Sequence, residues 1–531
     1  MTSPSAVEGR AHLAPASSRT WLLASAVAGA SWFVVDGLLL PPAFGGTDIY
    51  YFKDAGINLV SGLGFVSRFT FGNPTFLDQV YAQYPPIYPL LFGLFAKLFG
   101  ISAVTNQAFN AAVGVALGLA GFLAVRPLIA REFPRLGPVL LASLLTISVV
   151  ASLFLPGVDR PDGLGICLGL AGLVVFRRQA LGPGAVAAGI LCGVALLVSP
   201  FAGGLGLIVV GIVVLDRYWR EKGLVAAIAG GLRTVAGALG VLVVGASLMV
   251  LFFPAWLPAF AGVFLGTTTQ NETGGGYFLA LLRGEFGVWL GAFPVGDPYY
   301  FVALSKFVFV LVVLVAAAIV DCLRSGRSAL ASAIVPLIVI SPLCLIVMPY
   351  QGNYPPMSAA LVLGAIAGVA LGIPPTSRRI HAVAVLIGFA GVCLLSLPER
   401  VRDTNVRIAT RGSMRPAVEA IDQLRDRLRG SDAFLAVSPA NYILWRQEGL
   451  RPLITTYSGL GHPEHRQRLL YVVASYGGSG DRMAPQLPSW LTDKEYRLVH
   501  QPSLPQQVSI LGLFTTNSSW TWESAIYRRK D

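Results

Sequence analysis

The sequence predicts a mainly α-helical, polytopic transmembrane bundle that ends in a small C-terminal α/β domain. Three observations predict it. The 531 residues are 54% hydrophobic and only 12% charged, against about 25% charged in a soluble domain. The mean hydropathy is +0.67. Apolar runs close to the roughly 20 residues a helix needs to cross a bilayer core recur through most of the chain. Hydrocarbon offers no water to backbone polar groups, so runs of this length fold as helices.

Residues 1–20 form a polar tail with Arg10 and Arg19 ahead of the first apolar run. Ala24-Ser25-Ala26 and Ala28-Gly29-Ala30 resemble signal-cleavage sites, but the run continues well past both and reads as an uncleaved signal-anchor. Runs of adequate length follow at Trp21–Leu40, Ala103–Val125, Gly137–Pro156, Asp162–Phe176, Pro183–Ser199, Phe201–Leu215, Ala226–Phe253, Tyr300–Val320, Ala329–Pro349, Tyr354–Ile373 and His381–Leu397, which makes eleven spans. The clusters Arg126/Arg131/Arg135, Arg177/Arg178, Arg217/Arg220/Lys222, Arg324/Arg327 and Arg378/Arg379 then fall on the side of the N-terminus. The positive-inside rule assigns that side to the cytoplasm of a plasma or inner membrane. The run Ile87–Phe99 is short for a crossing and reads as a shallow or re-entrant helix on the outer side. If it crosses, the count is twelve and the charge pattern inverts from there on.

The domain reading is therefore a tail at 1–20, a transmembrane domain at 21–398 whose exported first loop is 41–102, and an exported soluble domain at 399–531. In the last, Val418, Ile421, Leu424 and Leu428 repeat at helical spacing. "DAFLAV", "RPLITTY", "YRLVH" and "SILGLF" read as short strands, and "ANYILWRQEG" and "PEHRQRLLYVVAS" as helices.

The net charge of +12 is spread over short clusters between apolar runs, which marks topology and not a nucleic-acid surface. Cys167, Cys192, Cys322, Cys344 and Cys393 lie in or beside apolar runs without paired or metal-like spacing, as small buried hydrophobes.

Polar sequence collects on the outer side: the first loop, "PGVDRPDG" at 156–163, the loop 254–299, and the C-terminal segment. In "GGTDIYYFKDAG", Asp48 starts an expected helix whose Ile49, Phe52, Gly56, Leu59 and Val60 form an apolar stripe suited to lying on the membrane surface. Asp48 also suits a plain N-cap. "VYAQYPPIYPLL" sets Tyr81, Gln83, Tyr84 and Tyr88 around a rigid proline pair. In "VDRPDG", Arg160 and Asp162 stand at a helix end, where they can meet a phosphate or anchor in lipid headgroups. The glycine-rich middle of 254–299 suits a mobile cover or a solvated linker.

The order of these features resembles the integral-membrane GT-C glycosyltransferases, most closely the branch of protein O-mannosyltransferase-like and aminoarabinose-transferase-like enzymes. The resemblance rests on an acidic residue after the first span, "Y..FKDAG..L..G", "YPPIYPLL", "RPD" at a helix end, and "PYQGNYPPMSAALVLG". It implies that Asp48 acts on the acceptor, that Arg160 and Asp162 belong to the site, and that the donor is a sugar on a polyprenyl phosphate. Members often carry two adjacent acids here, whereas Ile49 follows Asp48 and the next acid is Asp54.

The chemistry fits that implication. A lipid phosphate on the anomeric carbon is already a leaving group, so the enzyme needs a base for the acceptor hydroxyl and cations for the departing phosphate. The expected roles are Asp48 as base, Asp54 as helper, and Lys53, Arg160 and Arg283 as phosphate partners, with Tyr84, Asp162, Gln351 and Asn353 completing the substrate site. The acceptor is a glycan, a lipid or a protein. No cofactor is required; a divalent metal could sit on Asp48 and Asp54 with Glu285 or Asp297, but no spacing demands one. The rival reading is a lipid or sugar transporter or flippase, which would place ionisable groups near the midplane. Asp36, a turn inside the first span, and Arg233 are the nearest candidates.

Overall fold

The computed structural model describes residues 18–41, 52–70, 73–82, 84–134, 137–152, 160–264, 298–325, 354–410, 434–436, 442–451, 453–454, 471–477, 496–500, 508–510, 514–516 and 520–530. The protein is a polytopic helical bundle. Among the described residues seven helices are long and apolar enough to cross a membrane: Arg19–Leu39, Ala103–Glu132, Leu181–Val198, Pro200–Lys222, Leu224–Phe252, Lys306–Arg324 and Pro375–Val401. Three further expected spans form shorter helices, Gly137–Ala151, Asp162–Arg178 and Tyr354–Ala370. The expected span Ala329–Pro349 lies outside the described residues.

In chain order the elements are α1 (Ser18–Phe33), continued by a π-helical turn at Val34–Leu39, α2 (Asp54–Val60), the hairpin strands β1 (Val66–Thr70) and β2 (Asn73–Val80), α3 (Ile87–Phe99), α4 (Ala103–Glu132), α5 (Gly137–Ala151) and α6 (Asp162–Arg178). Then follow α7 (Leu181–Val198), α8 (Pro200–Lys222), α9 (Leu224–Phe252), α10 (Trp256–Phe264), α11 (Pro298–Ser325), α12 (Tyr354–Ala370) and α13 (Pro375–Thr410). The last helix runs on through Pro398.

Helices α4, α6 and α12 carry much of the buried core, while α9 turns Val225, Leu232, Val243 and Leu251 outward. Between helices in lipid there is little hydrophobic drive, so small residues that let backbones touch matter most. Gly189 on α7 shows this: a Cβ there would meet the Thr234 carbonyl oxygen of α9 at 2.0 Å. Four residues on, Gly193 faces Ala238 in the same way.

The two ends of the bundle differ in charge. At one end Arg126 lies 5.5 Å from the Trp21 ring centre, Arg217 donates to the Phe176 carbonyl at 3.2 Å, and Arg378 pairs with Glu132 at 2.8 Å. Half-buried Arg177 braces this end by donating to the carbonyls of Ala124 and Gly364. Arg126, Arg177, Arg217 and Arg378, one from each of four of the basic clusters, thus stand at the same end of the bundle. At the opposite end stand Asp36, Asp54, Asp162 and the residues that hold them.

The C-terminal segment contributes a five-stranded sheet in the order β4-β3-β5-β9-β6, with β3 (Phe434–Ala436), β4 (Leu453–Ile454), β5 (Tyr471–Gly477), β6 (Tyr496–His500) and β9 (Trp520–Arg529). β3 pairs parallel with β4 and β5, and β9 pairs antiparallel with β5 and β6. Helix α14 (Tyr442–Gln447) falls between β3 and β4. Two expectations change. "YVVAS", read as helical, is strand β5, in keeping with its paired valines. "SILGLF" is divided between strands β7 (Val508–Ile510) and β8 (Phe514–Thr516), which pair antiparallel with each other. The helical spacing at 418–428 lies outside the described residues.

Candidate functional site

The candidate site is built around α2, a short helix just after the segment that carries Asp48. Asp48, Gln351, Asn353 and Arg283 lie outside the described residues, as does the loop 265–297. Lys53, Asp54, Tyr84, Arg160 and Asp162 are described, and the structure sets each in a specific environment.

Helix α2 does not leave its apolar stripe open, as the expected surface-lying helix would. It is enclosed: Phe52, Lys53, Asp54, Ala55, Ile57 and Asn58 are all buried. The reason is Gly56, which touches the backbone of α3, where a Cβ would meet the Pro89 carbonyl oxygen at 2.0 Å. Gly93 answers from α3, its own Cβ position 2.8 Å from the Gly56 carbonyl oxygen. Only a residue without a side chain allows this crossing.

Lys53 points toward α4. Its Nζ donates to Asn106 Oδ1 at 2.7 Å and to Asn110 Oδ1 at 2.6 Å. The two amides sit four residues apart and share one helix face. The rings of Phe92 and Phe109 lie 4.9 Å and 5.1 Å from the ammonium, so their electron-rich faces add to its stabilisation. The side chain is fully enclosed.

Asp54 points the other way. Its Oδ2 accepts from Asn58 Nδ2 at 3.0 Å and from Ser67 Oγ on β1 at 3.3 Å. Its Oδ1 accepts from the Tyr442 hydroxyl of α14 and lies 3.9 Å from Arg446 Nε. Arg446 Nη2 donates to Asn58 Oδ1 at 2.7 Å, and Asn58 Nδ2 also donates to the Val66 carbonyl at 2.7 Å. Burial and the Asp54 charge hold the Tyr442 phenol well above its ordinary pKa, so it stays a donor. The same two causes raise Tyr81, which lies beside this cluster.

Outside the cluster, Arg451 pairs with Asp78 on β2, and Arg68 lies 3.5 Å from the same carboxylate. Burial pushes Asp78 up, but the hydrogen bond and charge of Arg451, with those of Arg68, outweigh it and hold the carboxyl below its ordinary value. α14 and Arg451, a few residues beyond its end, thus meet α2 and the hairpin at three points: Tyr442 with Asp54, Arg446 with Asn58 and Arg451 with Asp78.

Arg160 and Asp162 stand together at the start of α6, where Arg160 Nε donates to Asp162 Oδ2 at 3.1 Å. Asp162 Oδ1 accepts from Ser199 Oγ at 2.6 Å, and Ser199 is also the N-cap of α8. The Arg160 guanidinium lies 5.1 Å from the Phe52 ring centre, and that ring packs edge-on against Tyr84 at 4.9 Å. Four of the expected residues therefore come together around Phe52: Lys53 and Asp54 follow it in sequence, while Arg160 and Tyr84 pack on it.

Sequence reasoning missed Asn106, Asn110, Tyr442, Arg446 and the ion pairs of Asp36. The Asp36 carboxylate stands near the end of the first apolar helix. It is buried at the same end as α2 and pairs with Arg400 and Arg407 of α13. Among the described residues no group of three or more His, Cys, Asp or Glu side chains is placed to hold a metal ion.

No model of a known protein family matches the sequence, and no curated protein matches it. Among solved structures the chain is similar to ArnT from Cupriavidus metallidurans bound to undecaprenyl phosphate, with 15% identity, 96% of this chain and 98% of that one covered, and a TM-score of 0.46. It is also similar to an Archaeoglobus fulgidus oligosaccharyltransferase tethered to an acceptor peptide, with 14% identity, 86% of this chain and 69% of that one covered, and a TM-score of 0.38.

Proposed function

We propose that the chain is an inverting glycosyltransferase that moves a hexosyl or pentosyl group from a polyprenyl-phosphate-linked donor to an acceptor hydroxyl on the outer face of the membrane. The observation that supports it best is the convergence of Lys53, Asp54, Tyr84 and Arg160 on α2 and Phe52, at the end of the bundle opposite the basic clusters. A lipid-linked donor keeps its chain in the bilayer and its phosphate at the membrane boundary, which is where such an end stands. This orientation puts the N-terminus in the cytoplasm and the C-terminal domain outside.

In the reaction Asp48 accepts the proton of the acceptor hydroxyl as the oxygen attacks the anomeric carbon. The bond from that carbon to the phosphate oxygen breaks and polyprenyl phosphate leaves with the electron pair. One displacement inverts the anomeric centre. Base assistance is worth about 10²- to 10⁴-fold. Arg160 and Arg283 stabilise the departing phosphate. Gln351, Asn353 and Tyr84 orient sugar and phosphate. Asp54, whose oxygens are engaged by Asn58, Ser67 and Tyr442, helps by fixing α2. Lys53, enclosed under the helix, does the same from the α4 side.

The test is transfer of radiolabelled sugar from a panel of polyprenyl-phosphosugars to a membrane extract by purified wild type and Asp48→Asn. Loss of transfer with donor binding retained supports the base assignment. Donor movement across vesicles without transfer would favour a flippase.

A further inference from the structure

We infer that Tyr442 and Arg446, from the C-terminal segment, are positioning residues of the membrane site, so that the C-terminal domain completes the first loop in cis. The inference deepens the proposed glycosyl transfer and rests on it for its kinetic part only.

Helix α2 depends on its neighbours for its place. The helix has only 7 residues, about two turns, too few to be stable alone. Gly56 fixes its distance from α3, and Lys53 ties its start to α4. The face carrying Asp54 and Asn58 is turned to the hairpin and to α14. Tyr442 donates to Asp54 and Arg446 to Asn58, each across a separation of 388 residues. These two contacts are one turn apart on both helices, so they set the rotation of α2 as well as its place.

The contacts are also sealed. Tyr442, Ile443, Leu444, Trp445 and Arg446 are all buried, and the first four share one apolar cluster with Phe52, Ile57, Tyr81 and Tyr84. Replacing either donor leaves a buried carboxylate or amide oxygen with one partner fewer, and such groups are costly to leave unmet. Rotation of α2 would carry Phe52 away from Arg160, and it would shift the end of the segment that carries Asp48. A misplacement on the order of 1 Å far from the chemistry can cost about 10²-fold in rate. The effect therefore falls on the chemical step and not on donor capture.

The experiment uses the full chain in nanodiscs, with Tyr442→Phe, Arg446→Lys, Arg446→Ala and the double variant Tyr442→Phe/Asp54→Asn. Hydrogen exchange of residues 54–60 is read alongside kcat and donor KM. Exchange across 54–60 is expected to speed up about 10-fold in Tyr442→Phe, with the amides of α7 and α9 unchanged. For transfer, kcat should fall about 10-fold with KM within about 2-fold, and Arg446→Lys should recover part of what Arg446→Ala loses. The double variant should be no worse than Asp54→Asn, since both changes break one contact. Unaltered exchange at 54–60 in Tyr442→Phe and Arg446→Ala overturns the inference. So does a loss confined to KM. If wild type transfers no sugar from any donor, the exchange data still decide the positioning claim, and the proposed function alone fails.

Discussion

Arg407 closes the bundle at the mouth by donating from Nη1 to Asp36 Oδ1 at 2.7 Å and from Nη2 to the Asp36 carbonyl at 2.9 Å. Its Nε reaches the Pro41 carbonyl at 2.6 Å. One guanidinium therefore joins the end of α13 to the π-turn that ends the first span and to the start of the first loop. Gln107 of α4 adds a bond to the same Asp36 carbonyl at 3.1 Å.

Asp36→Ala should destabilise the protein strongly. It leaves Arg400 and Arg407 buried beside each other without their shared carboxylate, and breaking a buried pair by removing one partner costs about 3–5 kcal/mol. The measure is thermal unfolding in detergent. Arg407→Lys should recover less than half of an Arg407→Ala loss, because a single ammonium cannot serve the carboxylate and two carbonyls at once. Stability within experimental error of wild type in Asp36→Ala would show that the cluster bears no load.

The contact of α2 with α3 gives a second prediction. Gly56→Ala forces the helices apart, since its Cβ would lie 2.0 Å from the Pro89 carbonyl oxygen. Overpacking of this kind costs about 1–3 kcal/mol. Gly204→Ala on α8 is the comparison, because nothing lies within 4 Å of a Cβ there. It should be neutral or stabilising by up to about 1 kcal/mol. Equal unfolding temperatures for the two variants would refute the backbone contact.

These two sites show what the sequence can and cannot disclose. The apolar helices and the place of Arg160 and Asp162 at a helix end follow from local composition and spacing, and "YILWRQ" forms the helix its pattern predicts. The hairpin β1/β2 had a local signal in the turn-prone residue types of Gly72-Asn73-Pro74, which stand between strand-forming residues in the sequence. Asn106 and Asn110 had one too, as two amides four apart on one face of a span. Tyr442 and Arg446 had none: their role comes from a contact with residues 388 positions away, which no local pattern encodes. The burial of α2 was hidden for the same reason, since Gly56 is informative only once Gly93 faces it.

The seam between the hairpin and the C-terminal segment should weaken at both extremes of pH. For Asp78 the folded pKa lies below the ordinary 3.8, so its contribution is present above that value and is lost as pH falls through the lower folded value. For Tyr442 the folded pKa lies above the ordinary 10.0, so its contribution is full below 10.0 and is lost as pH rises through the higher folded value. Asp78→Asn should flatten the acid limb of a stability profile, and Tyr442→Phe the alkaline limb. Between pH 5 and 9 the wild-type seam should hold steady, by this linkage, to within about half a kcal/mol. A wild-type stability change centred between those values that both variants abolish would contradict the assignment.

Lys53 supports a last prediction, which separates a strut from a ligand contact. Lys53→Met keeps the stem's bulk but removes the donor shared by Asn106 Oδ1 and Asn110 Oδ1. Each oxygen then has one partner fewer in a buried setting, and a lost buried hydrogen bond of this kind costs about 1–3 kcal/mol. The ring contacts with Phe92 and Phe109 lose their cation as well. Unfolding temperature should therefore drop in Lys53→Met. Asn106→Leu/Asn110→Leu added to it should restore part of the loss, because apolar side chains of similar size then replace the amides that lost the ammonium. Donor affinity, measured on the folded fraction, should stay within about 3-fold of wild type, a difference of less than 1 kcal/mol. A Lys53→Met protein of unchanged stability that binds the donor tens of times more weakly would instead place the ammonium on the phosphate, and α2 would then have to open to let it reach.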